Sequence, residues 1–111
     1  MLNQIAKEVF ECAEAKGLYT TEMSFEQFIA MCHAELSEAL EQYRLDNGLH
    51  EIRYLGKGQD NKPEGVPVEL ADCMIMILSY CGYVGIDIEK AFDEKREYNK
   101  HRPYKHGRAL Y

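Results

Sequence analysis

The chain has 111 residues, of which 46% are hydrophobic and 29% charged, and its formal net charge is −6. This composition is typical of a soluble globular protein, and the length allows one domain that buries roughly two thirds of the surface of the unfolded chain. It excludes a collagen-like or intrinsically disordered chain. The longest apolar run, 73–78, is far shorter than the roughly 20 residues that a membrane span needs. We therefore expect a single domain, residues 1–111, with no membrane partner and a cytoplasmic location.

Acidic and basic residues are distributed unevenly. All 19 acidic residues lie at or before Glu97, so that residues 1–99 carry a balance of −10, whereas the basic tail, residues 100–111, has four basic residues and no acid. Proteins bind duplex nucleic acid largely by neutralising its phosphates with basic residues. The acidic balance therefore argues against duplex DNA or RNA as a partner, while the basic tail suits a small phosphorylated ligand.

Apolar residues recur at helical spacing through most of the chain, and no segment has the sustained alternation of a half-buried strand. Gly17 is placed to end the first helix, and Ser24 with Gln27 forms an S-x-x-Q capping box at the start of the second. Pro67 suits the first turn of the third helix, and Asp87 is placed to cap the fourth. The predicted fold is all-α and resembles a four-helix bundle, with helices at about 2–16, 24–45, 67 to 82–85, and 87–101.

A long loop, residues 46–66, separates the second and third predicted helices and contains four glycines and a proline. A loop of this length in so small a domain is uncommon, and such loops are either functional or mobile. The sequence leaves both interpretations open. We also expect a short strand or helical turn at about 51–55.

The four cysteines lie among apolar residues of predicted helices and form no C-x-x-C pair. This arrangement is typical of reduced thiols in a core rather than of a zinc site or a disulfide framework. We therefore expect core positions for Cys12, Cys32, Cys73 and Cys81.

Two of the predicted helices each carry a pair of acidic residues three positions apart. Glu35 and Glu38 lie on the second helix, and Glu69 and Asp72 on the third. Residues at i and i+3 lie on neighbouring faces of a helix, so that each pair can share one cation. Either pair alone is also common on exposed helices, and Glu69 additionally suits the positive end of a helix dipole.

Both acidic pairs are set among apolar residues. Burying an unpaired charge is costly, and four converging carboxylates repel one another, so the pattern predicts a divalent cation between the two helices. Oxygen ligands favour Mg²⁺ or Mn²⁺, and neither helix carries the Glu-x-x-His motif of di-iron bundles. The apolar setting consists of Phe25, Phe28, Ile29, Cys32, Leu36, Leu40 and Tyr43 on the second helix and of residues 73–78 on the third.

The apolar stripe of the fourth helix, which includes Ile88 and Phe92, continues at the same spacing as Lys95, Asn99 and Arg102. If this face lies against the bundle, two cations and an amide can bind a polyphosphate that the metal holds on its other side. A basic helix end that suits the C-terminal dipole explains the same residues without a ligand. Candidates for stacking on a nucleobase are Tyr54, Tyr98 and Tyr104.

The order and spacing of these motifs resemble the MazG-like branch of the all-alpha nucleoside triphosphate pyrophosphohydrolases. The similar segments are E-x-x-E at 35–38, E-x-x-D at 69–72, the stretch 62–72 and the terminal block 95–107. The resemblance implies an enzyme that hydrolyses a ribo- or deoxyribonucleoside triphosphate to the monophosphate and pyrophosphate with Mg²⁺, or with Mn²⁺. It implies metal binding by Glu35, Glu38, Glu69 and Asp72, and substrate binding by Lys95, Asn99 and Arg102.

The same resemblance implies a homodimer or homotetramer. This chain holds one copy of a domain that full-length members carry twice, and its nearly all-apolar third helix predicts that self-association completes the buried surface. Glu38 is the preferred candidate for the catalytic residue that orients or deprotonates a metal-bound water. Two alternatives stay open from the sequence. One is a metal-dependent nucleotide-binding or regulatory module without turnover, and the other is a purely structural helical oligomer.

Overall fold

The computed structural model describes residues 1–46, 48–58 and 61–103. The described chain is mostly helical, which confirms the prediction of an all-α fold. Each predicted helix is found within a few residues of its expected ends. The elements in chain order are α1 (Leu2–Ala15), α2 (Phe25–Asp46), β1 (Arg53–Tyr54), β2 (Pro63–Glu64), α3 (Val66–Val84) and α4 (Ile88–His101).

Caps fix the ends of the helices. At the start of α2 the amide of Gln27 donates to Ser24 Oγ at 3.1 Å, and the amide of Ser24 donates to Gln27 Oε1 at 2.8 Å. The predicted capping box is therefore confirmed. At the start of α4, Asp87 Oδ1 accepts the amide of Lys90 at 3.1 Å. Gly85 ends α3 with a φ of 80°, a left-handed conformation that favours glycine.

The core lies where α3 packs against both α1 and α2. Phe28 of α2 stacks on Tyr80 of α3 with ring centroids 4.1 Å apart, and Tyr19, in the turn after α1, stacks on Tyr83 at 4.4 Å. The Tyr19 hydroxyl lies 2.7 Å from the Oγ of Ser79, which is almost completely buried. The aromatic rings therefore join α3 to both of its neighbours and make it the central helix.

A short antiparallel hairpin lies between α2 and α3. Arg53 of β1 is paired with Glu64 of β2, which confirms the expected short strand at 51–55. Gly65 follows β2 with a φ of 134°, and a Cβ at this position would clash with the carbonyl oxygen of Glu51. The hairpin therefore returns the chain to the N-terminus of α3 through a turn that requires glycine.

α4 lies mainly against α1, and the two helices are joined at their N-terminal ends. Asn3 Nδ2 donates to Asp87 Oδ1 at 2.8 Å, and Asn3 Oδ1 accepts the amide of Glu89 at 3.1 Å. The amino group of Met1 also pairs with Glu89. No residue of α4, described over its whole length, is buried. The predicted packing of α4 into a four-helix bundle is therefore not confirmed.

The position of α4 gives the chain an elongated shape. Its radius of gyration is 16.7 Å, and its principal extents are 50 × 36 × 26 Å. A compact chain of this length has a radius of gyration of about 13 Å. Three helices and the hairpin therefore form the compact part, and α4 extends from it.

Three of the four cysteines are buried, namely Cys32, Cys73 and Cys81, whereas Cys12 is exposed. The prediction of a core position was wrong for Cys12. This residue follows the buried Ala6 of α1 by six positions, which places its side chain away from the face that packs on α3.

α3 is long and apolar enough to cross a membrane, judged by length and composition alone. The core helix of a soluble protein meets the same criteria, and α3 packs against α1 and α2 and carries Glu69 and Asp72. The helix is therefore weak evidence for a membrane span, and the absence of a membrane partner stays a prediction.

Candidate metal centre

Carboxylates of α2 and α3 meet where these two helices pack together. Glu35, Glu69 and Asp72 each have an oxygen within 4.8 Å of the corresponding oxygens of the other two. Glu35 comes from the middle of α2, whereas Glu69 and Asp72 come from the first two turns of α3. Helix packing therefore brings together three of the four predicted metal ligands, although Glu35 is more than thirty positions before the other two in the sequence.

Two buried cysteines lie beside this carboxylate group. The Sγ of Cys73, the residue after Asp72, lies 3.8 Å from the carbonyl oxygen of Cys32, which is one turn before Glu35. A side chain can touch the backbone of the facing helix only where the two helices are close. The contact between Cys73 and Cys32 therefore shows that α2 and α3 pack closely next to the residues that carry the carboxylates.

Glu38, the fourth predicted ligand, lies next to this group and is exposed. Its side chain interacts with that of Glu35 and raises the pKa of Glu35. The pKa values of Glu35, Glu69 and Asp72 are all raised, first by burial and next by the negative charge of Glu38. All four predicted ligands therefore interact with one another in one place.

The raised pKa values show that the site disfavours its own negative charge. Burial is the largest cause of the rise at Glu35, and the charges of Glu38 and Asp72 add to it, so that the pKa of Glu35 is about 7. Each of these causes penalises the ionised carboxylate, because burial removes water and neighbouring negative charges repel it. A cation at this position would relieve both penalties.

One atom of the site lacks a partner. Glu35 Oε2 is buried and accepts no hydrogen bond from any of the described residues. A buried polar atom without a partner costs free energy, and a carboxylate oxygen is a preferred ligand of hard divalent cations. Because the converging side chains are all carboxylates, the residues present fit Mg²⁺ or Mn²⁺, both of which take oxygen ligands.

Two residues for which the sequence predicted no role, Lys62 and Glu64, act electrostatically on the carboxylates of this site. Lys62 Nζ lies 3.2 Å from Glu64 Oε1. The charges of both residues act on the carboxylate of Asp72, and that of Glu64 also acts on Glu69. Their position in the sequence could have indicated this role, because β2 and Gly65 directly precede α3 and so lie near the first turn of that helix.

The predicted substrate-binding residues lie on α4, which packs mainly against α1 rather than beside the carboxylates. Lys95 and Asn99 line, with Phe92, a groove of about 380 Å³ on the surface of α4. The ammonium of Lys95 lies 4.9 Å from the ring centroid of Tyr98, and the guanidinium of Arg102 lies 6.0 Å from the same centroid. These side chains are near one another, but within one chain they do not lie beside the carboxylates of α2 and α3.

The predicted base-stacking tyrosines are not placed together. Tyr54 is exposed in β1, and Tyr98 is exposed on α4. Tyr104 and the rest of the basic tail beyond Pro103 lie outside the described residues. A site for the base is therefore not assigned.

Comparison of the chain with family models, with curated proteins and with solved structures gives no match. The resemblance of its acidic motifs to the MazG-like family therefore stays a prediction.

Proposed function

We propose that this protein is a MazG-like nucleoside triphosphate pyrophosphohydrolase whose Mg²⁺ is bound by Glu35, Glu38, Glu69 and Asp72. The observation that carries the proposal is the convergence of Glu35, Glu69 and Asp72, which have oxygens within 4.8 Å of one another. In addition, the buried Oε2 of Glu35 accepts no hydrogen bond from the described residues. Carboxylates in such a position need a counterion, and Mg²⁺ bound by a few carboxylates is the usual arrangement for handling phosphate groups. Mn²⁺ fits the same ligands.

The proposed reaction is hydrolysis of the bond between the α- and β-phosphates. Water oxygen adds to the α-phosphorus, the bond to the bridging oxygen breaks, and the products are a nucleoside monophosphate, pyrophosphate and a proton. Bound Mg²⁺ supplies Lewis acidity toward phosphoryl oxygens and lowers the pKa of a coordinated water. Glu38 is the preferred base, because its exposed carboxylate could accept the proton that the attacking water gives up.

We also propose that the chain works as a homodimer or homotetramer. Large apolar side chains are exposed on α2 and α3 beside the carboxylates, and several of them line a groove between the two helices. Exposed apolar patches of this kind mark interfaces. The exposed side chains are Leu36, Leu40 and Tyr43 on α2 and Leu70, Met74 and Ile77 on α3.

A second copy also accounts for α4. In one chain Lys95, Asn99 and Arg102 lie on a helix that extends from the compact part, and Phe92 on the same helix is 50% exposed. If α4 of one copy covers the apolar face of another, its cations come to the other copy's carboxylates and its apolar residues are buried. The substrate site would then be shared between two copies.

The test of the proposed activity is hydrolysis of a panel of canonical and modified ribo- and deoxyribonucleoside triphosphates. With Mg²⁺ we expect equal amounts of nucleoside monophosphate and pyrophosphate, and with EDTA we expect no turnover. Release of orthophosphate would place the cleavage at a different bond. Metal-dependent binding without turnover would instead support a regulatory nucleotide-binding module, for which the distance of α4 from the carboxylates in one chain is the favouring observation.

A further inference from the structure

The hairpin before α3 holds a lysine at the edge of the carboxylate site. Lys62 Nζ lies 3.2 Å from Glu64 Oε1, and their side chains are 74% and 14% exposed. The ammonium group has three hydrogen-bond donors, and a contact to one carboxylate oxygen leaves the others available. Lys62 is therefore anchored by a largely buried partner while most of its own surface is accessible to a ligand.

A chain of hydrogen bonds fixes this anchor to α2. Glu64 Oε2 accepts from Gln42 Nε2 at 3.2 Å, and Gln42 Oε1 accepts from the guanidinium of Arg53 at 2.9 Å. Gln42 is one helical turn after Glu38 and so lies on the same side of α2. Glu64 is thereby held between the hairpin and the helix that carries half of the carboxylates.

The anchored lysine interacts electrostatically with the carboxylates of α3. The negative charges of Glu69 and Asp72 act on the Lys62 ammonium in addition to that of Glu64, its immediate partner. On α4, by contrast, Lys95 lies over the ring of Tyr98. Lys62 is therefore a cation that a single chain already places beside the proposed metal ligands.

We propose that Lys62 binds a phosphate group of the nucleoside triphosphate at the carboxylate site and that Glu64 and Gln42 position it there. The inference rests on the proposed function. A triphosphate brings several negative charges beside the metal, and an accessible ammonium at the edge of the site can accept them with charge-assisted hydrogen bonds. Lys62 is thus a substrate-binding residue, and Glu64 and Gln42 are positioning residues.

The experiment compares Lys62→Gln with Lys57→Gln, which removes the same charge from an exposed lysine of the same segment. For the nucleotide that the wild type hydrolyses, Lys62→Gln is expected to raise KM about 10- to 100-fold, the usual effect of losing a charged hydrogen bond. The kcat should change much less. Lys62→Arg should restore most of the affinity, and Lys57→Gln should match the wild type. A KM for Lys62→Gln equal to that of Lys57→Gln would overturn the inference.

A binding measurement separates this inference from the proposed activity. Inorganic tripolyphosphate is titrated into the wild type and both variants in the presence of Mg²⁺. If the wild type binds it without hydrolysing any nucleotide, and Lys62→Gln binds it at least about 10-fold more weakly, the inference stands and the proposed activity fails. If Lys62→Gln binds as well as the wild type, or if the wild type does not bind, the inference fails. Lower thermal stability with unchanged KM and binding would make Lys62 a structural ion-pair partner only.

Discussion

The α2–α3 pair and α4 both combine charged and apolar residues, but the two regions differ in how far these residues are buried and in what they contact. In the pair, Glu69 is buried and Glu35 is partly buried, and their carboxylates face each other across a packed contact. On α4, Phe92 is half exposed, and the charged residues pair with one another along the surface, as Arg96 does with Asp93 at 3.1 Å. Charge is thus concentrated where two helices meet and dispersed where a helix has one neighbour.

The comparison shows where each region lacks a partner. The α2–α3 pair has negative charge that the described residues offset only at the edge, through Lys62. α4 has cations and apolar side chains that are exposed, because within the described chain it packs mainly against α1. In the proposed homo-oligomer, α4 of one copy would supply the cations and the apolar cover that the α2–α3 pair of another copy needs.

The largest effect on enzymatic activity is expected from Glu38→Gln. Loss of a catalytic base lowers kcat by about 100- to 10,000-fold, and circular dichroism should show unchanged helix content because Glu38 is exposed. Glu41→Gln, on the same helix and also exposed, is the matched control and should keep full activity. Full activity in Glu38→Gln would remove Glu38 from the metal site and from catalysis.

The same variant tests whether α4 acts on a second copy. Glu38→Gln is mixed with Lys95→Gln after both have been unfolded and refolded together. If the site is shared, an equal mixture should recover about a quarter of wild-type activity, since half of the dimers are heterodimers with one intact site. If Lys95 acts on its own chain, no heterodimer has an intact site and the mixture stays inactive.

Substitution of one phenylalanine in each region tests the difference in packing between the core and α4. Phe28 is 7% exposed in the core and Phe92 is 50% exposed on α4. Phe28→Ala should lower the free energy of unfolding by about 3–5 kcal/mol, whereas Phe92→Ala should cost less than about 1 kcal/mol in the monomer. Chemical denaturation at several protein concentrations checks both. A cost for Phe92→Ala that grows with concentration would show that α4 is buried in an oligomer.

The acidic site should make the stability of the metal-free protein depend on pH. Glu35 has a pKa of about 7 when folded, against 4.5 ordinarily, so the folded state binds more protons than the unfolded state between these values. Its contribution to stability is complete below the lower value and is lost as pH rises through the higher one. In EDTA, Tm should therefore fall by about 5 °C or more from pH 5 to pH 8.

Mg²⁺ should reverse this loss, because it binds the ionised carboxylates of the folded state. The rise of Tm on adding Mg²⁺ should be large at about pH 8 and small at about pH 5, where Glu35 is protonated. Glu35→Gln should flatten the EDTA profile and reduce the response to Mg²⁺. A Tm that changes neither with pH nor on addition of Mg²⁺ would contradict a metal site at these residues.

The helices and the grouping of acidic residues within each helix could be predicted from the sequence, because both depend on residues that are only a few positions apart. The Ser24–Gln27 box depends on residues three apart, and the spacing within each acidic pair follows from helix geometry. That Glu35 and Glu69 belong to one site was predictable in outline, since both lie among apolar residues of adjacent helices. These parts of the fold required no knowledge of the tertiary arrangement beyond helix packing.

The parts that were missed depend on tertiary contacts. Lys62 reaches the site because β2 pairs with β1 and Glu64 bonds to Gln42, and neither contact leaves a periodic pattern in the sequence. The stripe through Ile88 and Phe92 correctly indicated an amphipathic helix. It did not indicate which surface covers that stripe, and within the described chain α1 covers it only near its start.

A small effect on stability is expected at the junction of α1 and α4. Asp87 Oδ1 accepts from the amide of Lys90 at 3.1 Å and from Asn3 Nδ2 at 2.8 Å, and both hydrogen bonds lower the pKa of Asp87. Asp87→Ala should therefore lower the stability of the protein slightly, as the loss of an N-cap does. Ser24→Ala, at the cap of α2, is the matched control with a similar cost.

Hydrogen exchange followed by mass spectrometry distinguishes how the two caps act. If α4 is held to the compact part chiefly by its N-terminal junction, Asp87→Ala should lower the protection of amides in 88–101 and leave those of α3 unchanged. Ser24→Ala should instead lower protection in both α2 and α3, because these helices share one core. Equal loss of protection throughout the chain in Asp87→Ala would mean that α4 unfolds together with the core, and the contrast between the two regions would then concern exposure alone.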